Sequence, residues 1–274
     1  MNIKRGNIML TNFHTHSTFC DGRNTPEEVI LTAIEKGFAA IGFSGHGYTP
    51  YDLRYCMKDT DAYIAEVNRL KEKYRSKIQV YVGVEEDAFS VLDRRKFDYI
   101  IGSCHYMHVG DQYFPVDSGY DYFKKCLEVF DYDVIRLSKA YYQPFCDYIN
   151  TRKPDIIGHF DLITKFDERD TPLFLCNAQY HKIAETYITE ALKSGCIFEL
   201  NTGAIARGLR TTPYPNENLL HLLKKADAKL ILSSDSHQAD TLDFGFEDAK
   251  NYLRDIGFRH LYTLFDHAFQ KYDI

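Results

Sequence analysis

The chain has 274 residues, 45% hydrophobic and 26% charged, with a formal net charge of −6 at pH 7, a length that suits one α/β barrel (commonly ~250 residues) and a composition that suits a large core. Its charges are interspersed with no basic stripe, which argues against binding a nucleic-acid backbone but leaves open a short anionic substrate, since bound cations offset local negative charge. The N-terminal MNIKRGNIMLTNFHTH lacks a signal-peptide apolar region, no stretch reads as a membrane span, and seven scattered cysteines without a C-x-x-C pair suit reduced thiols in a cytoplasmic protein.

Short apolar runs alternate with helical patterns. Strands are predicted at 10–16 (LTNFHTH), 38–45 (FAAIGFSG), 78–85 (IQVYVGVE) and 98–105 (DYIIGSCH). Between the first two, Thr25-Pro26-Glu27-Glu28 gives an N-cap, a proline at the first helical position and a capping-box glutamate. Residues 59–75 place Ile64, Val67, Leu70 and Tyr74 on one helical face. Segment 117–150 breaks the rhythm: it is long, helical in pattern and interrupted by Pro144, and it reads as a helical insertion between two barrel units. Strands follow at 154–160 (PDIIGHF), 196–201 (CIFELN) and 229–235 (KLILSSD), with helices at 177–194 (stopped by Gly195), 216–226 and 245–256. Strand–helix alternation means parallel strands with helical crossovers. Seven or so such units in a single domain over 1–274 favour a closed α/β barrel, with an open doubly wound sheet as the alternative.

Almost every predicted strand ends in a side chain able to hold a metal. His14 and His16 are two apart, so in a strand both rings point to one side and can reach one ion. Asp21 follows in the loop FCDG, where alone it reads as a turn aspartate, and His46 ends the second strand. In the third, Val80, Val82 and Val84 form the face under the helices. Tyr81, Gly83 and Glu85 form the other, so Glu85 rather than Glu86 points into the barrel mouth. His105 and His159 end the next two strands, and Asp235 and His237 repeat the two-residue spacing at the last. Each residue has a bland explanation as a surface or packing group. Those explanations would have to hold independently at six strand ends, where barrels of this kind place their active sites. Six imidazoles with three carboxylates suit Zn, Mn or Fe, and with one carboxylate bridging they divide among three ions. His181, His221, His260 and His267 fall in helical or C-terminal stretches and read as surface or packing residues; His108, in the loop just past His105, is a candidate substrate contact. There is no G-x-S-x-G elbow, P-loop or G-x-G-x-x-G after a strand. Nothing marks Cys20 as a nucleophile, so a metal-activated water is the better candidate.

The set HTHSTFCDG, SGH, GVE, GSCH, GHFD, ELNTGA and SSDSH, spanning residues 14 to 237, resembles the polymerase and histidinol phosphatase (PHP) superfamily, and within it the stand-alone histidinol-phosphate phosphatases. The resemblance implies an α/β fold, a distorted (β/α)7 TIM-like barrel, here with the helical insertion around 117–150. It implies three divalent ions: one on His14, His16, Glu85 and Asp235, a second on Glu85, His105 and His159, and a third on Asp21, His46 and His237. Asp21 stands where some relatives use histidine. A phosphate clamp is implied at Arg207, in ELNTGAIARG, and at Lys165, six residues after the GH histidine, where lysine is a less bidentate partner than arginine. The implied reaction is L-histidinol phosphate plus water giving L-histidinol and phosphate in histidine biosynthesis; the candidates for delivering the leaving group's proton are Asp235 or His237 through a metal-bound water. Recognition of the substrate's amino and imidazole groups points to the loop 106–117. The alternatives are a PHP-type phosphoesterase acting on a nucleotide or other small ester, a metal-dependent amidohydrolase, and a non-catalytic metal-binding protein. Amidohydrolase barrels also begin with H-x-H, but they use fewer ligands and often a carbamylated lysine that has no place here.

Overall fold

A computed structural model describes residues 10–169 and 171–274. Each of the predicted strands is present: β1 (Thr11–Asn12), β2 (Ala40–Phe43), β3 (Gln79–Asp87) and β4 (Tyr99–Ser103). A hairpin, β5 (Tyr106–Val109) and β6 (Gln112–Pro115), precedes β7 (Ile156–Ile157), β8 (Ile197–Asn201) and β9 (Leu230–Ser233), and a second hairpin, β10 (His260–Phe265) and β11 (Ala268–Asp273), ends the chain. The main sheet runs β1-β2-β3-β4-β7-β8-β9-β10-β11, and β1 through β9 in that row pair in parallel. The ladders alone do not complete a circuit. Beyond their ends an isolated parallel bridge, Thr15 to Ser236, joins the first of these strands to the seventh, through His16 N–H to Ser236 O (2.8 Å) and Ser236 N–H to His14 O (3.1 Å). The strand ends carrying the candidate residues are thereby drawn into one ring.

The helices are α1 (Pro26–Glu35), α2 (Thr60–Tyr74), α3 (Tyr120–Val129), α4 (Val134–Arg152), α5 (Ala178–Leu192), the single turn α6 (Gly203–Ala206), α7 (Glu217–Lys225) and α8 (Phe246–Ile256). The capping box forms as the sequence predicts: Thr25 Oγ accepts from Glu28 N–H at 3.3 Å and Glu28 Oε2 accepts from Thr25 N–H at 2.7 Å. On α2 the fully buried aromatic is Tyr63, while Ile64 is only half-buried. The Tyr63 hydroxyl spans the carbonyls of Phe43 and Gly83 and ties α2 to β2 and β3.

The helical insertion predicted at 117–150 is present as α3 and α4, with the β5–β6 hairpin just ahead of it, and it differs from its prediction in one way: Pro144 does not break α4, which continues to Arg152. Proline forfeits one backbone donor there, but Tyr141, Tyr142, Phe145 and Ile149 are all fully buried in the core, and that burial outweighs the loss.

Side chains fill the barrel beneath the site: Phe13, Tyr81, Tyr99, Ile101, Ile197 and Ile231 belong to one buried cluster. Tyr99 crosses the interior and donates to Phe13 O at 2.6 Å. It can do so because Gly83 has no side chain; a Cβ there would run into its ring. Val80, Val82 and Val84 pack on the helical side, so the phase read from the sequence is the phase of β3. Among the described residues no helix is long and apolar enough to cross a membrane, and all seven cysteines are free thiols.

Candidate metal centre

Glu85 stands at the middle of the barrel mouth and is almost completely buried. Its Oε1 lies 2.9 Å from His159 Nε2 and 3.2 Å from His105 Nε2. Its Oε2 lies 2.9 Å from His46 Nδ1, 3.4 Å from His14 Nε2 and 3.7 Å from His16 Nε2. Asp235 Oδ1 faces the same two N-terminal rings, 3.2 Å from His16 Nε2 and 3.6 Å from His14 Nε2. Toward solvent, Asp21 lies between His237 Nε2 (3.3 Å), His16 Nδ1 (3.5 Å) and His46 Nε2 (3.6 Å). All six imidazoles and three carboxylates expected from the sequence therefore meet in one place.

They fall into overlapping groups with ligand atoms within 4.8 Å of one another: His14, His16 and Asp235; His14, Glu85 and His159; His46, Glu85 and His105; and His16, Asp21, His46 and His237. His46 is shared between the Glu85 side and the Asp21 side, a connection the spacing in the sequence did not suggest.

Two carboxylates hold this arrangement from outside, and a third holds the segment between α6 and α7. Glu199 accepts from His14 Nδ1 at 2.6 Å through Oε1, and from the His159 backbone N–H at 2.9 Å through Oε2. Asp87 accepts from the His105 backbone N–H at 2.9 Å, and its Oδ2 is 3.4 Å from His105 Nδ1. Such outer partners fix the orientation and tautomer of a ligating ring. Asp161 caps the segment that follows α6, accepting from both Asn216 N–H (3.0 Å) and its side-chain amide (2.7 Å). The sequence reading assigned none of these three. The signal was the two-residue period: Asp87 continues the Glu85 face of β3, and Glu199 with Asn201 forms the inward face of β8.

The electrostatics test whether this donor set fits cations. His14 Nε2, His16 Nε2, Glu85 Oε2 and Asp21 Oδ1 are buried with no hydrogen-bond partner, a costly state unless something else satisfies them. Burial opposes charge on His14, yet Glu199, Glu85 and Asp235 outweigh it and raise its pKa from 6.5 to about 10. At His105 burial is likewise overcome, by Glu85 and Asp87, and the pKa rises to about 9. Burial and then His16 push His237 the other way, so the cluster does not accommodate a proton on every ring. The carboxylates demand positive charge in excess of what protons supply comfortably, and divalent cations on nitrogen and oxygen donors meet that demand.

A cleft of about 210 Å³ opens onto the cluster, lined by Asp21, His46, Glu85, His105, His159, Asp235 and His237 together with Tyr106, Asp117, Lys165 and Arg207. The Arg207 guanidinium bonds Asp235 twice, to Oδ2 and to the backbone oxygen, each at 3.0 Å. Lys165 bonds Asp117 through its backbone oxygen (2.9 Å) and Oδ2 (3.1 Å). His108 lies elsewhere: it is exposed on β5, stacks on Tyr113 with ring centroids 4.4 Å apart and does not line the cleft. The other histidines also stay apart, His181 on Leu175 O, His221 beside Glu217 and His260 on Asp273.

A parallel α/β sheet whose strand ends converge on nitrogen and carboxylate donors defines a metal-dependent protein of the barrel class. Residues 12–203 match the PHP domain model, and the chain belongs to the PHP family. A Schizosaccharomyces pombe relative named "Probable histidinol-phosphatase" is 30% identical over 273 residues, covering 90% of this chain and 87% of its own. The Bacillus subtilis histidinol-phosphatase is 22% identical, over 85% of this chain and 96% of its own. The crystal structure of the Lactococcus lactis histidinol phosphate phosphatase, complexed with Zn, L-histidinol and phosphate, superposes with a TM-score of 0.72 at 22% identity, covering 95% of this chain and 98% of that one; the two share a fold.

Proposed function

We propose that this protein hydrolyses L-histidinol phosphate to L-histidinol and phosphate with the help of bound divalent metals. The observation that carries the reading is the position of Glu85, within 3.7 Å of five imidazoles at the floor of a cleft that also presents Arg207 and Lys165. Full-length relatives named as histidinol-phosphatases support the choice of substrate.

We assign His14, His16, Glu85 and Asp235 to one cation, Glu85, His105 and His159 to a second, and Asp21, His46 and His237 to a third, with zinc, manganese and iron all compatible with these donors. When bound, such ions polarise a phosphoryl oxygen and lower the pKa of water.

The chain's own residues do the rest. Arg207 enters the cleft with its guanidinium oriented by Asp235, so one edge is fixed and the other faces the phosphate. Lys165, directed by Asp117, presents a second positive charge. Both stabilise charge that spreads over the equatorial phosphoryl oxygens in the transition state. Asp235 and His237, beside Arg207, are held unprotonated, so a proton for the leaving oxygen would come from a water held between them rather than from either side chain itself. The product amino alcohol is a precursor in histidine biosynthesis.

Phosphate release from L-histidinol phosphate, measured beside nucleotides and sugar phosphates with metal-loaded protein and His14→Ala, tests this. The expected result is a clear preference for histidinol phosphate that the variant loses. Better turnover of another ester would retain the metal site and overturn the substrate.

A further inference from the structure

The cleft has more acid than its metal-type donors account for, and one carboxylate has an oxygen to spare. Five carboxylates line it: Asp21, Glu85, Asp87, Asp117 and Asp235. Three belong to the cluster. Asp87 is committed to Tyr51 OH at 2.6 Å, Phe89 N–H at 3.1 Å and His105 N–H at 2.9 Å. Among the described residues Asp117 is bonded only by Lys165, on Oδ2 and the backbone oxygen, and its Oδ1 takes no hydrogen bond.

The fold fixes where Asp117 sits. Strand β5 leaves directly from His105, and β6 returns with Tyr106 paired to Pro115. Val116 N–H then bonds His105 O at 2.8 Å. The hairpin therefore delivers Asp117 back to the residue where it began, beside the cluster. Its side chain is 21% exposed, open to the cleft but largely withdrawn from bulk water.

We infer that Asp117 is the residue that selects esters bearing an ammonium group on the carbon next to the phosphate-bearing one. Lys165 and Asp117 are opposite charges 3.1 Å apart at the cleft wall. A substrate with phosphate and ammonium on adjacent carbons presents the same two charges in inverse order. Its phosphate meets Lys165 and its ammonium meets the free Oδ1 of Asp117, a charge-assisted bond in a partly dry setting. An ester carrying a hydroxyl or an amide in place of the ammonium leaves Asp117 without that partner. Burial pushes the Asp117 carboxyl up, but Lys165 and then His105 more than compensate and hold it ionised. The inference rests on reading the cleft as a phosphate-ester site, and it supplies amine recognition to the histidinol phosphate proposed above.

The test uses matched pairs with metal-loaded wild-type protein and Asp117→Asn. One pair is L-histidinol phosphate and its N-acetyl derivative; the other is 2-aminoethyl phosphate and 2-hydroxyethyl phosphate. The wild type is expected to prefer the amine member of each pair by kcat/KM, and Asp117→Asn to cut that preference by roughly tenfold or more. Calorimetric binding of L-histidinol, compared with the same alcohol lacking the amine, gives a readout that needs no turnover and should lose the same discrimination. A variant in which both members slow alike, with the preference intact, would make Asp117 only a positioning residue for Lys165 and overturn the inference. So would a wild type indifferent to the amine. If the preference and its loss are seen but another amino ester outruns histidinol phosphate, the inference stands and the histidinol reading falls.

Discussion

His14 and Glu199 are joined by a 2.6 Å contact between Nδ1 and Oε1, with both side chains fully buried. The pairing leaves His14 Nε2 aimed at Glu85 and Asp235 without a protein hydrogen bond. Because the carboxylate fixes both tautomer and ring angle, Glu199→Gln should weaken metal binding by about 10–100-fold while the protein stays folded. Competition with a chromogenic chelator measures this; wild-type affinity in the variant would remove Glu199 from the account.

Glu85 and Glu86 are neighbours with opposite duties. Glu86 is fully buried on the helical side of β3, bonded to Arg94 (2.7 Å), Arg152 (2.8 Å) and Tyr148 OH (2.7 Å). Glu86→Ala strands two arginines and should cost about 3 kcal/mol of stability in urea unfolding, with metal content retained. Glu85→Gln should instead lose metal and activity, the properties that Glu86→Ala spares. The same loss pattern in both variants would contradict the division.

The metal-free protein should lose stability as pH rises. His14 and His105 are raised from 6.5 to about 10 and about 9, by carboxylates that overcome burial. A raised imidazole contributes its full stabilisation below the unfolded value and loses it as pH passes the folded one. The Tm of chelator-treated protein should therefore decline from about pH 6.5 up to about 10, and metal uptake near pH 8 should release protons. A flat Tm profile over that interval would count against protonated rings in the metal-free cluster.

Arg207→Ala should lower kcat/KM for a phosphate ester by roughly 10²–10³-fold, the scale of losing one transition-state donor. Arg207→Lys should recover only part of this, because an ammonium lacks the planar fork that holds Asp235 Oδ2 and O while facing the cleft. Steady-state kinetics on both variants decide it; full recovery by lysine would reduce Arg207 to a general positive charge.

Much of this centre was legible in the chain itself. A strand's two-residue period fixes which face a side chain takes, and so Glu85 rather than Glu86 could be assigned to the mouth before any distance was known. The same period would have reached Asp87 and Glu199 had β3 been followed two residues further and the inward face of β8 read as far as its acid. Pro144 misled because a local rule about a lost donor says nothing of the burial on either side of it. His108 misled because nearness in sequence to His105 does not survive a hairpin, which turns alternate residues outward.

By itself the sequence determined the alternation of strand and helix, the family motifs and the nine nitrogen- and oxygen-bearing side chains at the strand ends and in the loop after the first, since these depend only on residue type and local periodicity. Which imidazole faces which carboxylate was decided by the tertiary structure: His46 reaching both Glu85 and Asp21, Glu199 behind His14, and Asp117 returned beside His105. Those pairings depend on how strands far apart in the chain are tilted and joined, as by the Thr15–Ser236 bridge, and long-range geometry of that kind is set by packing of the whole barrel rather than by any one segment.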